Sequence, residues 1–115
     1  MSIAYFVVTA VTVAVTAGIA VADYVPAKFV LANSAQVGVP SSWLPLLGTL
    51  KLAGAIGLVA GLVVPAIGIA AAIGLVLFFT GAIITHIRAG VLYNIAFPGG
   101  YLALSAASLA LLAAQ

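Results

Sequence analysis

Residues 66–85 read AIGIAAAIGLVLFFTGAIIT, an apolar run without a single charged side chain. Pro65 precedes the run, and His86 and Arg88 follow it. A helix needs about 20 apolar residues to cross a hydrocarbon core about 30 Å thick. The run therefore predicts a transmembrane helix over about 66–86, with polar residues at one end.

The rest of the chain has the same character. Of 115 residues, 67% are hydrophobic and 3% are charged, which is too little polar surface to cover a water-soluble domain. The net charge of +2 is too small to indicate a surface that binds nucleic acid. Cysteine is absent, so disulfide exchange, thiolate catalysis and cysteine metal ligation are excluded. We expect one transmembrane domain over residues 1–115, and we expect the N-terminal apolar run to be a retained helix.

Three further spans are predicted, two before residues 66–85 and one after them. The preceding one covers about 43–63, from Trp43 to a turn before Pro65, and the turn is so short that the two helices should form an antiparallel hairpin. The first covers about 3–22 and stops at Asp23. The last covers about 91–113 with a kink at Pro98, since a helix starting at Pro98 would measure only about 24 Å.

Together these spans predict an all-α fold, an integral membrane four-helix bundle of up-down topology. The segment between the first two spans mixes polar residues and prolines with apolar residues, so we expect a short interfacial helix or turn there. Two patterns of small residues predict close helix contacts: Gly57-xxx-Gly61 in the second span, and a stripe in the first span formed by Ala10, Ala14, Gly18 and Ala22.

The up-down topology places the polar residues in one half of the molecule. The predicted site is a ligand-binding mouth formed by Asp23, Lys51, His86, Arg88 and Asn94. Lys51 and Arg88 would supply charge, and His86 a hydrogen bond. Other interpretations stay open: Lys51 either pairs with Asp23 or extends alone to the headgroups, His86 is an interfacial histidine bonded to a backbone carbonyl, and Arg88 is an interfacial anchor. We predict no metal site, because the ligands are too few.

The layout resembles the DoxX-like family of small bacterial four-helix membrane proteins. The resemblance lies in residues 26–29 (PAKF) after the first span, 48–54 (GTLKLAG) at the start of the second, and 85–90 (THIRAG) at the end of the third. The family is often acidic where Lys51 stands, so the lysine is a departure. The resemblance implies the four-helix fold, a bacterial inner (plasma) membrane and a loose association with quinone or redox chemistry. It implies no catalytic residue.

Three functions are compatible with these residues. The one we favour is a small membrane accessory protein that binds a lipid or quinone and accompanies a larger membrane complex or self-associates. The alternative is a membrane enzyme or a subunit of a quinone-linked oxidoreductase, with Asp23, Lys51 and His86 transferring protons. Transport ranks last, because few polar residues lie deep in the spans. No resident cofactor is predicted, quinone being the possible exception, and the partners are membrane lipid or protein.

Overall fold

A computed structural model describes residues 2–115, which form five α-helices and one short 3-10 turn. The helices are α1 (Ile3–Tyr24), α2 (Lys28–Gln36), α3 (Leu44–Ala60), α4 (Pro65–Arg88) and α5 (Ala96–Ala113), and the 3-10 turn Ser41–Trp43 leads into α3. Four segments are long and apolar enough to cross a membrane: α1, α4, α5, and α3 together with its leading turn. The all-α four-helix prediction is confirmed.

The four long helices pack in a ring in chain order. α1 contacts α3 and α5, and α4 contacts the same two helices from the other side. The seam between α3 and α4 is close because glycines line it. A Cβ added at Gly57 would lie 2.5 Å from the Cβ of Ala71, and one at Gly61 would lie 2.5 Å from the Cα of Gly68. The predicted Gly57-xxx-Gly61 contact is therefore present.

α1 faces its neighbours with hydroxyl groups. Thr9, Thr12 and Thr16 are buried, and the Thr12 hydroxyl lies 2.9 Å from the Ser108 hydroxyl of α5. The small-residue stripe differs from its prediction, since Ala10, Ala14 and Gly18 are exposed and no helix of the bundle covers them. Polarity explains this arrangement at Thr12, because its hydroxyl gains Ser108 as a partner by facing another helix, whereas alanine and glycine lose no hydrogen bond by facing lipid. The Thr9 hydroxyl is buried without a hydrogen-bond partner.

The last long helix begins later than predicted, at Ala96 and not at Val91. Gly90 adopts a φ of +70°, which ends α4 in a turn. In this turn the Gly90 N–H donates to the Ile87 carbonyl (3.1 Å) and the Val91 N–H donates to the His86 carbonyl (3.0 Å). Because α5 begins at Ala96, Pro98 falls in its first turn, where its missing N–H costs little, and the predicted kink is wrong.

Two other helix ends shape the polar end of the bundle. α1 continues beyond the predicted stop and includes Asp23, which is buried. The expected interfacial segment contains α2, which ends at a second left-handed glycine, Gly38, with a φ of +77°. α2 therefore lies between two turns, close to the polar side chains of the bundle. At the opposite end of the bundle, α3 ends at Ala60 and is shorter than predicted.

Candidate ligand-binding site beneath helix α2

A buried ion pair joins α1 to α3. The Lys51 Nζ donates to the Asp23 Oδ2 at 2.8 Å, and the two side chains are 11% and 3% exposed. Gly48, one turn before Lys51, lets the end of α1 approach, because a Cβ there would lie 3.1 Å from the Cβ of Asp23. Of the two interpretations left open for Lys51, the structure shows pairing with Asp23.

The position of the pair explains how a lysine is accommodated so far along α3. Lys51 lies seven residues after Leu44, about 10 Å along the axis at 1.5 Å per residue. A lone charge near the bilayer centre costs roughly 3 kcal/mol on insertion scales. Here the ammonium is paired with Asp23 and lies 5.3 Å from the centre of the Phe78 ring, an arrangement that adds a cation–π attraction.

His86 is the centre of a second polar group, in which three side chains from different segments meet. The His86 Nδ1 lies 2.8 Å from the carbonyl of Ala82 one turn earlier in α4, as the backbone-bonded interpretation of this histidine requires. The His86 Nε2 lies 3.1 Å from the Asn33 Oδ1 of α2. The Asn94 Nδ2, just before α5, donates to the same oxygen at 3.1 Å. Asn33 thereby ties α2 to the ends of α4 and α5.

Four of the five predicted site residues come together, and Arg88 does not. Asp23, Lys51, His86 and Asn94 line one cavity, whereas Arg88 is exposed and does not line it. Helical geometry explains the separation, because residues two apart on a helix point in different directions. His86 faces the bundle, so Arg88 faces away from it, in agreement with the interpretation of Arg88 as an interfacial anchor.

The cavity lies between α2 and the four long helices and has a volume of about 580 Å³. Its polar wall consists of the two groups just described, the ion pair and the His86 cluster, together with Gln36. Its remaining wall is apolar and largely aromatic, including Phe29, Phe78, Phe79, Tyr93, Phe97 and Tyr101. Phe29, Tyr93 and Phe97 are exposed, so the cavity reaches the molecular surface beside α2.

A smaller cavity of about 290 Å³ adjoins the first, towards the start of α3. Asp23, Lys51, Asn33 and His86 line both cavities, and Trp43 and Leu44 line only the smaller one. The polar side chains therefore form a partition between two apolar spaces beneath α2, and a molecule on either side can contact them.

Sequence reasoning missed Asn33, whose side-chain oxygen lies within hydrogen-bond distance of both His86 and Asn94. It lies on α2, which the sequence marked only as an interfacial segment, and nothing local shows that the helix packs over His86. Gln36, one turn later, accepts a hydrogen bond from the Tyr93 hydroxyl at 2.7 Å, so two polar side chains of α2 bond to the segment between α4 and α5. The recurrence of Asn33 and Gln36 on one helical face was the available signal.

The side chains of the site carry charge and can form hydrogen bonds. Among residues 2–115 no group of three or more histidine, cysteine, aspartate or glutamate side chains is placed to hold a metal ion. The site offers one ammonium, one carboxylate, one imidazole, three amides and two phenol hydroxyls around an apolar space. Such a combination suits an apolar molecule with a small polar head.

Fold and site together define a small multi-pass membrane protein with a ligand-sized cavity at one end of a four-helix bundle. The chain belongs to the DoxX-like family, whose sequence model matches residues 7–108. The match covers α3, α4 and the polar end in full and most of α1 and α5, which confirms the resemblance drawn from the sequence. No curated protein and no solved structure matches the chain.

Proposed function

We propose that the protein binds a lipid-like molecule with a small polar head, such as a quinone or a membrane lipid, and acts as a non-enzymatic companion of a larger membrane complex. The observation that carries the proposal is the cavity beneath α2. Its volume of about 580 Å³ falls within the range of small-molecule sites, roughly 300–1,000 Å³, and its polar groups are few and concentrated.

The distribution of polarity supports a ligand with two unlike parts. The ion pair of Asp23 and Lys51 and the amide of Asn33 offer both donors and acceptors to a polar head. The aromatic wall suits a flat or chain-like apolar body. Exposed Phe29 and Phe97 at the edge of the cavity allow an apolar tail to continue into the surrounding lipid.

A variant that fills the cavity tests the proposal. Ala82 lines both cavities, so Ala82→Phe places a ring in the space the ligand would occupy. Ala70→Phe is the matched control, because Ala70 is an exposed residue on the same helix. Wild type and both variants are purified in mild detergent from their own membrane and compared by native mass spectrometry with solvent extraction.

We expect wild type and Ala70→Phe to retain the same lipid-like molecule in stoichiometric amount, and Ala82→Phe to lose it. Equal retention by the two variants would show that any bound lipid lies outside the cavity and would refute the binding proposal. A larger subunit that co-purifies with all three proteins supports the companion role, and a protein that always purifies alone contradicts it.

A second candidate is a catalytic role, as a membrane enzyme or a subunit of a quinone-linked oxidoreductase. It is favoured by one observation, that the acid–base groups of Asp23, Lys51 and His86 line the same cavity. To test it, quinone and the reductant of the larger subunit are added to the gently purified complex, and quinone reduction is followed by absorption spectroscopy. Quinone reduction that disappears in Ala82→Phe supports this candidate, and unchanged reduction in that variant contradicts it.

A further inference from the structure

The contacts of His86 fix which of its ring nitrogens carries a proton. The Nδ1 faces the Ala82 carbonyl at 2.8 Å, and a carbonyl oxygen only accepts. The Nδ1 must therefore be the N–H donor whether the ring is neutral or charged. His86 is buried, 4% exposed, so water does not replace this partner. The state of the second nitrogen, Nε2, then reports the charge of the ring.

The Nε2 faces the side-chain amide of Asn33, which can present either of its ends. In the charged ring the Nε2–H donates to the Asn33 Oδ1 at 3.1 Å, and the Asn94 amide donates to the same oxygen. In the neutral ring the Nε2 is an acceptor and needs a donor. Rotation of the Asn33 amide by half a turn supplies this donor. The Asn33 NH2 group then donates to the His86 Nε2 and, if the Asn94 amide turns in the same way, to the Asn94 Oδ1.

The rotation also changes which end of the Asn33 amide, the NH2 group or the oxygen, faces the cavities. Only one end of its amide is engaged by His86 and Asn94, the side chain is partly exposed, and Asn33 lines both cavities. With a charged ring the free end is the NH2 group, a donor. With a neutral ring the free end is the oxygen, an acceptor.

We propose, resting on the ligand-binding function above, that Asn33 selects the ligand and that the proton on His86 sets the selection. The charged ring makes Asn33 a donor, so the cavity takes a head with a carbonyl-type acceptor. The neutral ring makes Asn33 an acceptor, so the cavity takes a head with an N–H or O–H donor. Binding of a carbonyl-bearing ligand is thus linked to uptake of one proton by His86.

Other titratable groups face the same space and must be separated from His86. Asp23 of α1, Lys51 of α3, Tyr93 before α5 and Tyr101 of α5 line the larger cavity. α2 contributes only uncharged side chains to its wall, and Arg88 on α4 is exposed outside it. A variant at His86 leaves all of these groups in place.

The test uses two probes of similar tricyclic shape and opposite hydrogen-bonding character. Fluorenone carries a carbonyl that only accepts, and carbazole carries an N–H that only donates. Binding to the full chain in lipid nanodiscs is measured by equilibrium dialysis between pH 5 and 8, the range in which histidines ordinarily titrate, and binding to empty nanodiscs is subtracted. Wild type is compared with His86→Gln, which does not titrate, and with Asn33→Leu, which removes the amide.

Exchanging a matched hydrogen bond for a mismatch changes affinity by about tenfold. We expect fluorenone to bind wild type about tenfold more tightly at pH 5 than at pH 8, and carbazole to show the reverse order. Both dependences should vanish in His86→Gln and Asn33→Leu. A dependence that persists in His86→Gln, or that has the same sign for both probes, would overturn the inference while leaving the cavity as a binding site. If neither probe binds wild type more tightly than it binds Ala82→Phe at any pH, the proposed function is refuted, and the inference with it.

A second measurement needs no ligand. His86 is the single histidine, so selective 15N labelling gives one pair of ring signals. The inference requires the neutral ring to carry its proton on Nδ1, against the usual preference in water for Nε2. Observation of the Nε2–H tautomer at high pH would overturn the proposal directly, even if a variant failed to fold.

Discussion

Replacement of Lys51 by methionine should destabilise the bundle, because it leaves the Asp23 carboxylate buried without its partner. Methionine keeps most of the lysine stem, so packing changes little and the effect is mainly electrostatic. Removing one member of a buried ion pair costs about 3–5 kcal/mol, and the lost attraction to Phe78 adds about 0.5–1 kcal/mol. Since the lysine side chain is 11% exposed, we expect a loss near the lower limit, about 3 kcal/mol.

Asp23→Asn should cost less, about 1–2 kcal/mol. The remaining ammonium sits on a flexible chain, so it can either stay over the Phe78 ring, 5.3 Å from the ring centre in the structure, or extend towards the headgroups. The double variant, Asp23→Asn with Lys51→Met, carries no unpaired charge. It should therefore be about as stable as the milder single variant, which gives a coupling energy of about 3 kcal/mol, the cost of the Lys51→Met change alone.

The assay is a double-mutant cycle of unfolding in mixed micelles with increasing SDS, followed by the fluorescence of Trp43, the single tryptophan. Lys28→Met is the matched control, since Lys28 is an exposed residue of α2, and it should change the free energy of unfolding by less than about 0.5 kcal/mol. Additive effects of the two single variants, with a coupling energy below about 0.5 kcal/mol, would refute the stabilising role of the ion pair.

Two further predictions concern the seams between helices, and the same unfolding assay checks both. Gly61→Ala should lower the free energy of unfolding by about 1–3 kcal/mol, because the new Cβ would lie 2.5 Å from the Gly68 backbone. Gly18→Ala is the control and should leave it unchanged, because there is open space around Gly18. Equal stability of the two variants would contradict the close seam. Thr12→Val should cost about 0.6 kcal/mol through loss of the Ser108 hydrogen bond, and Thr12→Ser should restore stability; a valine variant as stable as wild type would show that this bond contributes nothing.

The long helices could be predicted from the sequence because the signal for a membrane helix is local. About 20 consecutive apolar residues satisfy the bilayer whatever surrounds them. The errors occurred at ends set by backbone geometry. The prediction starts the last helix at about Val91 because a helix from Pro98 would be short for the hydrocarbon core, whereas Gly90 turns the chain and the helix begins at Ala96. The hydrogen bonds of that turn cannot be read from apolarity and length.

The candidate site was predicted in outline for a related reason. Up-down topology follows from short connections, so the polar residues of alternate helix ends had to lie at one end of the bundle. Which of them touch depends on helix rotation, and apolar helices carry little pattern to fix rotation. This is why the sequence groups Arg88 with His86 although Arg88 lies outside the cavity, and why it predicts that the small stripe of α1 faces a neighbouring helix of the bundle.

The sequence by itself determined the membrane class, the four spans, the family and the end at which polar residues gather, since composition and chain order decide all of these. Only the tertiary structure decided that Asp23 pairs with Lys51, that Asn33 bridges His86 and Asn94, and that a cavity lies beneath α2. These features join residues far apart in the chain. Their geometry depends on the rotation and approach of whole helices, which contacts such as the glycine seam of α3 and α4 fix only in the folded bundle.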